Sequence, residues 1–543
     1  MRWLTRDRII GAALAVLTVV LVQCNQGRVG IARDEVVYMN AGARYADWWL
    51  GGFGPIEKTW GGAPGGGNNT EHPPLMKTLF GISHKILKPV LGEVGSFRFP
   101  GAVMHGVLVA LVFAMVLQLW ALAEAVVAAL LVMLLPRAMF HAGLACFDAP
   151  IMTLWFATVY AYWRCLDGRA WPWQAGVVFG LALATKHNAM LLPFALGIHY
   201  LIVGYRAGGS ASARGGRWRE MLLHRWRVLV SLAVLAPLTL VALWPWLWTD
   251  PIGHLQQWLS FHLKHVHYNF EYLGANWNAP RFPWHVALVT TLFTVPVITL
   301  AGAATGAALW AQKRGELPDA ARAPVLLLAL SAAASIGPFF LGTTPIFGAE
   351  KHWMPALPTL CIAAGVGIVW AGRSAVAWLE TKRPLEPIAR DLALAGIAAV
   401  CVAASAVETV TAQPYALTWY NALAGGAPGG ADKGMNRQFW GVAARGVLPA
   451  LAAAAPAQGT APVYSHDASP AWGLYLRDGL VPRSLPDAGH EEGGIANSKF
   501  ALVIHERHFN RHDYLVWKVY GTVQPWFVLR ADGVPIVSVY RRP

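Results

Sequence analysis

Apolar residues in this chain come in long unbroken runs, not in alternation with polar ones. The runs are 9–24, 98–118, 122–141, 149–164, 173–186, 189–205, 228–248, 284–312, 323–342, 354–372 and 391–410. Most approach the ~20 residues that carry a helix across a bilayer core. They lack the polar face that core helices of a large soluble protein would show, which argues against that alternative. The run 173–186 is short enough to be tilted or re-entrant. The pattern predicts a mainly α, polytopic membrane protein with about eleven transmembrane helices over 1–410. After 410 the apolar stretches shorten to 461–464, 500–504 and 526–540, the last interrupted at Asp532-Gly533 as a hairpin would be. A small C-terminal α/β domain outside the membrane is expected over 411–543.

One connector is also too long and too polar to be a simple loop. The outer loop 25–97 holds a glycine-rich patch between two expected helices. The first covers 34–50 and ends in Trp48-Trp49. The second starts after Pro73-Pro74 and places Leu75, Leu79, Ile82, Ile86 and Leu87 on one face, as a helix lying in the membrane interface would.

Composition agrees: 56% of the 543 residues are hydrophobic and 13% charged, where soluble chains carry about 25% charged residues. The formal charge of +14 is distributed by side of the membrane. Arg206, Arg214, Arg217, Arg219, Arg225 and Arg227 crowd one connector; Lys313, Arg314 and Arg322 occupy the next on that side. Arg373, Lys382, Arg383 and Arg390 follow in the one after. This positive-inside bias puts the N-terminus in the cytoplasm and, with an odd number of spans, the C-terminus outside, as expected for a bacterial inner-membrane protein. The basicity is topological, so no nucleic-acid partner is expected. Five cysteines without CxxC or Cys/His spacing give neither a disulfide framework nor a structural zinc site.

The unusual polar residues fall on the outer side. They are Asp34 and Glu35 after the first span, Glu71 and His72 before the interfacial helix, Asp148, and Lys186-His187-Asn188. His262, Lys264, His265 and His267 follow, then Glu350, Lys351 and His352. Each has a plainer reading. Asp34 and Asp148 suit helix N-caps, the lysines and histidines snorkel at span ends, and Trp246 and Trp248 fit an aromatic belt. Together they could make an anion-binding cleft capable of acid/base work.

The order Arg33-Asp34-Glu35, then Glu71-His72-Pro73-Pro74-Leu75, then Phe147-Asp148-Ala149-Pro150, resembles the GT-C glycosyltransferases. The likeness is to glycosyltransferase family 39, the protein O-mannosyltransferases and their bacterial relatives, including aminoarabinose transferases. The segment 180–189, Trp244-Pro245-Trp246-Leu247-Trp248 and Lys351-His352-Trp353-Met354-Pro355 look like its later landmarks. The resemblance implies a GT-C fold and an inverting transfer of sugar from a polyprenyl-phosphate donor. It implies Asp34 as base and Asp148 as the second acidic position. The His at 72 matches the mannosyltransferases; aminoarabinose transferases have Lys there, which argues against the lipid A sugar.

A hydroxyl acceptor needs a base, whereas a departing phosphate needs positive charge and no acid. His72, Lys186, Lys351, His352 and Arg98 are the candidates for the donor phosphate, with Arg137 a further one. Glu71 with His265 could hold a divalent metal ion for the same purpose. The acceptor stays open among protein, lipid and envelope glycan. A non-enzymatic lipid or solute transporter of similar topology is the alternative, but transporters keep their polar residues at mid-membrane and show repeats, neither of which is seen here.

Overall fold

The computed structural model describes all residues except 1–4, 63–66, 207–210 and 314–318. Part of the glycine-rich patch and parts of the basic connectors 206–227 and 313–322 therefore lie outside the described residues, while the backbone of 211–227 is helical, within Ala211–Leu243. Seven described helices are long and apolar enough to cross a membrane: Arg6–Gln26, Leu75–Leu119, His187–Gly204, Arg225–Leu243, Arg322–Phe340, Met354–Glu380 and Pro387–Ala412. The pair Leu122–Met133 and Pro136–Ala142, bent by 65°, makes an eighth if it is one broken span. The protein is a multi-pass, mainly α membrane protein.

The other expected spans differ for identifiable reasons. The run 284–312 is cut into Val286–Thr294 and Val297–Lys313 because Pro296 forces Val295 out of the helical region, to φ −100° and ψ 139°. Pro136 does the same to Leu135 at the bend (φ −79°, ψ 116°). Helix Asp148–Leu166 is long enough, yet rich in Trp, Tyr and Thr, and most of it is buried against protein and not lipid. The run 173–186 gives only the 12-residue helix Pro172–Leu183.

The expected interfacial helix after Pro74 is not a separate element. It continues into the second span as Leu75–Leu119, whose 45 residues would reach about 68 Å if straight, twice the bilayer core. Gly92 breaks it (φ 74°, ψ −177°), a conformation that a Cβ would strain. Helix Arg33–Leu50 lies tight against the first half of this element: a Cβ on Gly81 would sit 1.9 Å from Gly42 O.

In the tail a four-stranded sheet runs Val463–Ser465, Phe500–Ile504, Val534–Arg541, Phe527–Ala531 in spatial order. The first pair is parallel and the other two antiparallel. Asp532 (φ 48°) and Gly533 (φ 78°) make the hairpin turn with both central residues left-handed. The tail does not close on a core of its own alone. Trp472, Leu502 and Ile536 share one buried cluster with Tyr38, Phe80, Phe97 and Phe140. That shared core presses the tail onto the start of helix Arg33–Leu50, where the candidate base sits.

Candidate functional site around Asp34

The site is framed by Glu35. Its Oε2 accepts from Ala32 N at 2.8 Å, which satisfies one free amide at the helix start. Its Oε1 accepts from Ala145 N at 2.7 Å, three residues before Asp148. Arg98 then grips both carboxylate oxygens, Nε to Oε1 at 2.8 Å and Nη2 to Oε2 at 2.7 Å. The same guanidinium donates to the carbonyls of Gln26 (2.9 Å), Val29 (3.1 Å) and Gly30 (2.7 Å). Glu35 thus fixes the end of the first span, the N-terminus of the next helix and the approach to Asp148 as one unit. This corrects one expectation. Arg98 is 1% exposed and has no free donor edge for a phosphate; the fork that suits phosphate suits carboxylate and carbonyls equally well. Arg137 is spent likewise, on Glu350 Oε2 at 2.7 Å and the carbonyls of Leu417 and Trp419, both at 3.1 Å.

Asp34, one residue before this anchor, is different. Its side chain is 31% exposed, and its nearest cation is Arg33, whose Nε lies 3.7 Å from Oδ1. Arg33 is held back by Asp467 of the tail, Nη1 to Oδ1 at 2.8 Å. Asp148 is buried and ion-paired: Lys186 Nζ donates to Oδ1 at 2.6 Å, and His141 Nδ1 is 3.8 Å from Oδ2. Lys351 makes no ion pair among the described residues. Its Nζ rests on the rings of Trp440 (3.9 Å), Phe439 (4.7 Å) and Phe347 (4.8 Å). Burial lowers its pKa to about 8, against the pull of Asp148 and Asp34. His352, the other cation expected there, has Nε2 2.6 Å from Phe347 O, and burial keeps it neutral. It shapes the turn that presents Lys351.

The loop 69–72 is clamped from below. Lys77 Nζ donates to Asn69 O (2.5 Å), Asn69 Oδ1 (2.9 Å) and His72 O (2.8 Å). Helix Pro251–Leu263 docks on it through Trp258 Nε1 and His262 Nε2, 3.1 and 2.9 Å from Glu71 O. These contacts bring His72, His187 and His262 together, with one ring nitrogen of each lying within 4.8 Å of the others. Nδ1 of all three is shielded from solvent and has no hydrogen-bond partner among the described residues. Burial pushes His72 down and His262 to about 4, so these rings are neutral, as metal ligands must be. His262 Nε2 against a carbonyl orients its free Nδ1, the usual outer support of a metal-bound imidazole. The residues fit a divalent cation, but not through the expected pair. Glu71 stands beside the trio, its Oε1 3.7 Å from His72 Nε2, and His265 turns Nδ1 to Val266 O at 2.8 Å. His72, expected at the phosphate, is a member of the trio.

Two participants escaped the sequence reading. Tyr38 lies one helical turn after Asp34 and packs edge-on to His72 (5.7 Å between centroids) and against Phe147 (4.2 Å). The i, i+4 spacing was a usable signal. Burial and the surrounding carboxylates hold its phenol well above the usual range, so it stays a neutral donor. Asp467, 434 residues from Arg33, carried no local signal.

Several solved structures are similar to this chain. ArnT from Cupriavidus metallidurans in the apo state is 15% identical, with 98% of this chain and 97% of that chain aligned and a TM-score of 0.49. The same protein bound to undecaprenyl phosphate gives 14% identity, 98% and 97% coverage, and 0.47. The Archaeoglobus fulgidus oligosaccharyltransferase in the apo form gives 11%, 96% and 72%, and 0.47. No curated protein matches the chain. Residues 71–244, which include the His-Pro-Pro loop, Asp148, Lys186 and His187, match the sequence profile of the dolichyl-phosphate-mannose-protein mannosyltransferase family.

Proposed function

We propose that this protein is an inverting glycosyltransferase that moves a sugar from a polyprenyl-phosphate donor to a hydroxyl acceptor. The reaction takes place at the outer face of the inner membrane, with the N-terminus cytoplasmic and the C-terminus outside. Residues 1–410 hold the transfer machinery, and 411–543 close over it. One observation carries this reading. Among the carboxylates of the cleft, Asp34 is accessible and loosely partnered, while Glu35 and Asp148 are buried and bound to cations, and it stands within the field of the unpaired Lys351. The profile match over residues 71–244 supports the same chemistry.

In the proposed step the acceptor O–H gives its proton to the Asp34 carboxylate while its oxygen bonds to the anomeric carbon. The bond from that carbon to the phosphate oxygen breaks, and both its electrons leave with the phosphate. Inversion follows from attack opposite the leaving group. Lys351, caged but uncompensated, faces the developing phosphate charge; Lys186 holds Asp148, so the lysine pair brackets one carboxylate and leaves net positive charge. A divalent ion on His72, His187 and His262 would supply further positive charge for the phosphate when bound. Tyr38 can orient the acceptor through its neutral hydroxyl.

The test is Asp34→Asn in a strain lacking the gene, read by mass spectrometry of envelope glycans and of polyprenyl-phosphate sugars. The expected result is lost transfer with accumulated donor and normal protein yield. Wild-type transfer by Asp34→Asn would sink the assignment of the base.

A further inference from the structure

Behind Arg33, the tail brings two carboxyl groups together in a place the transfer step does not use. Asp467 is 1% exposed and Glu506 5%. Asp467 Oδ1 takes Arg33 at 2.8 Å. Asp467 Oδ2 and Glu506 Oε1 are buried with no donor among the described residues, and the two carboxyl groups lie within hydrogen-bonding reach of each other. Two buried carboxyl groups this close repel if both ionise. A single proton between them converts the repulsion into a hydrogen bond. Burial and the neighbouring Asp467 together push Glu506 well above the usual carboxylate range.

The surroundings do not supply the missing charge. Helix Arg33–Leu50 offers Arg33 and Asp34. The segment around the hairpin Phe270–Tyr272/Ala275–Trp277 offers Tyr268 and Glu271, and Glu271 Oε1 is taken by Arg507 N at 2.6 Å. On the tail itself, His508 Nδ1 is 3.8 Å from Glu506 Oε2, but burial lowers it to about 4, and His466 is held down as well. Arg437, His505 and Arg507 line a cavity with Glu506, but Arg507 Nε is turned to Glu271 Oε2 at 3.8 Å and burial lowers His505 to about 4. Among the described residues Arg33 is the cation ion-paired with Asp467, and it also faces Asp34.

We propose that Asp467 and Glu506 share one proton and, acting through Arg33, are positioning residues for Asp34. This rests on Asp34 being the base. With one proton the pair carries a single negative charge that holds Arg33 Nη1, leaving Nε 3.7 Å from Asp34, near enough to orient that carboxylate without closing on it. Without Asp467, Arg33 is free to form a full ion pair with Asp34, which makes it a poorer base. When the shared proton is lost, a second negative charge draws Arg33 away. The tail thereby sets the competence of a residue more than 430 positions earlier in the chain.

The test uses the full-length protein in detergent and in native membranes. Infrared spectra at neutral pH should show a protonated-carboxyl band that Glu506→Gln removes. A carboxyl whose folded-state pKa is raised contributes stability that falls as pH rises from its unfolded toward its folded value. Thermal unfolding of Glu506→Gln should therefore lose part of the wild-type decline between mildly acidic and alkaline pH. In membranes carrying the native lipid-linked sugars, Asp467→Asn and Glu506→Ala should slow transfer about tenfold, roughly 1.4 kcal/mol in the barrier. Glu506→Gln, which keeps a neutral donor toward Asp467, should be less impaired and should show a shallower alkaline decline than the wild type, keeping only the part that follows the Lys351 charge. An unchanged infrared band in Glu506→Gln, or wild-type rates and pH profile in both Asp467→Asn and Glu506→Ala, would overturn the proposal. Transfer by Asp34→Asn would instead overturn the base, whatever the infrared band shows.

Discussion

Arg98→Met is the sharpest test of how the site is held. The substitution keeps an unbranched side chain of similar length in a site where Arg98 is 1% and Glu35 0% exposed. It removes two hydrogen bonds to Glu35 and three to the carbonyls of Gln26, Val29 and Gly30. Glu35 is then a buried carboxylate supported by only two amides, those of Ala32 and Ala145. Removing one partner of a buried pair costs about 3–5 kcal/mol. Each stranded carbonyl adds up to about 1 kcal/mol, though the terms overlap because the segment can relax. A loss of about 4 kcal/mol is expected, a large share of the ~5–15 kcal/mol that holds a typical protein folded.

The assay is equilibrium unfolding in mixed detergent micelles, run as a double-mutant cycle with Glu35→Met. The double variant has no unpaired charge, so it should be more stable than Arg98→Met alone by at least about 1 kcal/mol. A phosphate-binding role would give the opposite pattern: near-normal stability, weakened donor binding and no coupling to Glu35. A cost under about 1 kcal/mol, or strictly additive single effects, would refute the anchor.

Other expectations follow from the same geometry. Because burial brings Lys351 to about 8, transfer should decline as pH rises through that value, where its charge is lost; Lys351→Arg should carry its charge past that limit, even if it is slower overall. His262→Ala should lower the zinc or manganese retained by purified protein, measured by plasma mass spectrometry, with Glu71→Gln having the smaller effect; equal retention in His262→Ala removes the three-histidine site. Cysteines placed at the exposed Gln524 and Thr381 test the topology: impermeant thiol reagents should label the first from outside whole cells and not the second, and the reverse result inverts the orientation.

The sequence made the membrane class legible because bilayer thickness imposes a length on apolar runs that any reader can count. It made the hairpin at Asp532-Gly533 legible because left-handed backbone has a narrow residue preference. Span edges were legible only where the whole run was helical. Val295-Pro296 and Leu135-Pro136 were visible as letters, but whether a proline ends a span or kinks it depends on what satisfies the freed carbonyls. Charges were legible as types and not as pairs. Arg98 and Lys351 look equally fit for an anion in the sequence, and Glu350, beside Lys351, gives no sign that its partner is Arg137, 213 positions away. The ligand trio was half legible. All its histidines were visible, but which three converge depended on helix Pro251–Leu263 docking onto the Glu71 carbonyl.

That division of labour among the cations has a physical logic. Arg98 and Arg137 each spread several fixed donors over a carboxylate and two or three carbonyls, and a planar fork so occupied locks its surroundings in one geometry. Such a group cannot also follow a phosphate that moves as its bond to the sugar lengthens. Lysine is a point charge on a flexible stem, and both lysines facing the cleft keep that freedom: Lys186 has a single carboxylate contact, and Lys351 has only ring faces under it. Rings attract a cation without presenting a competing lone pair, so Lys351 is held in place yet left electrostatically unspent. The frame is therefore built from arginines that cannot move, and the proposed anion site from lysines that can. Exchanging the roles, with arginine at 186 or lysine at 98, should harm folding in one case and transfer in the other. Lysine at 98 reaches at most three of the five acceptors that Arg98 now serves, so the Glu35 anchor and the approach to Asp148 loosen before any substrate arrives.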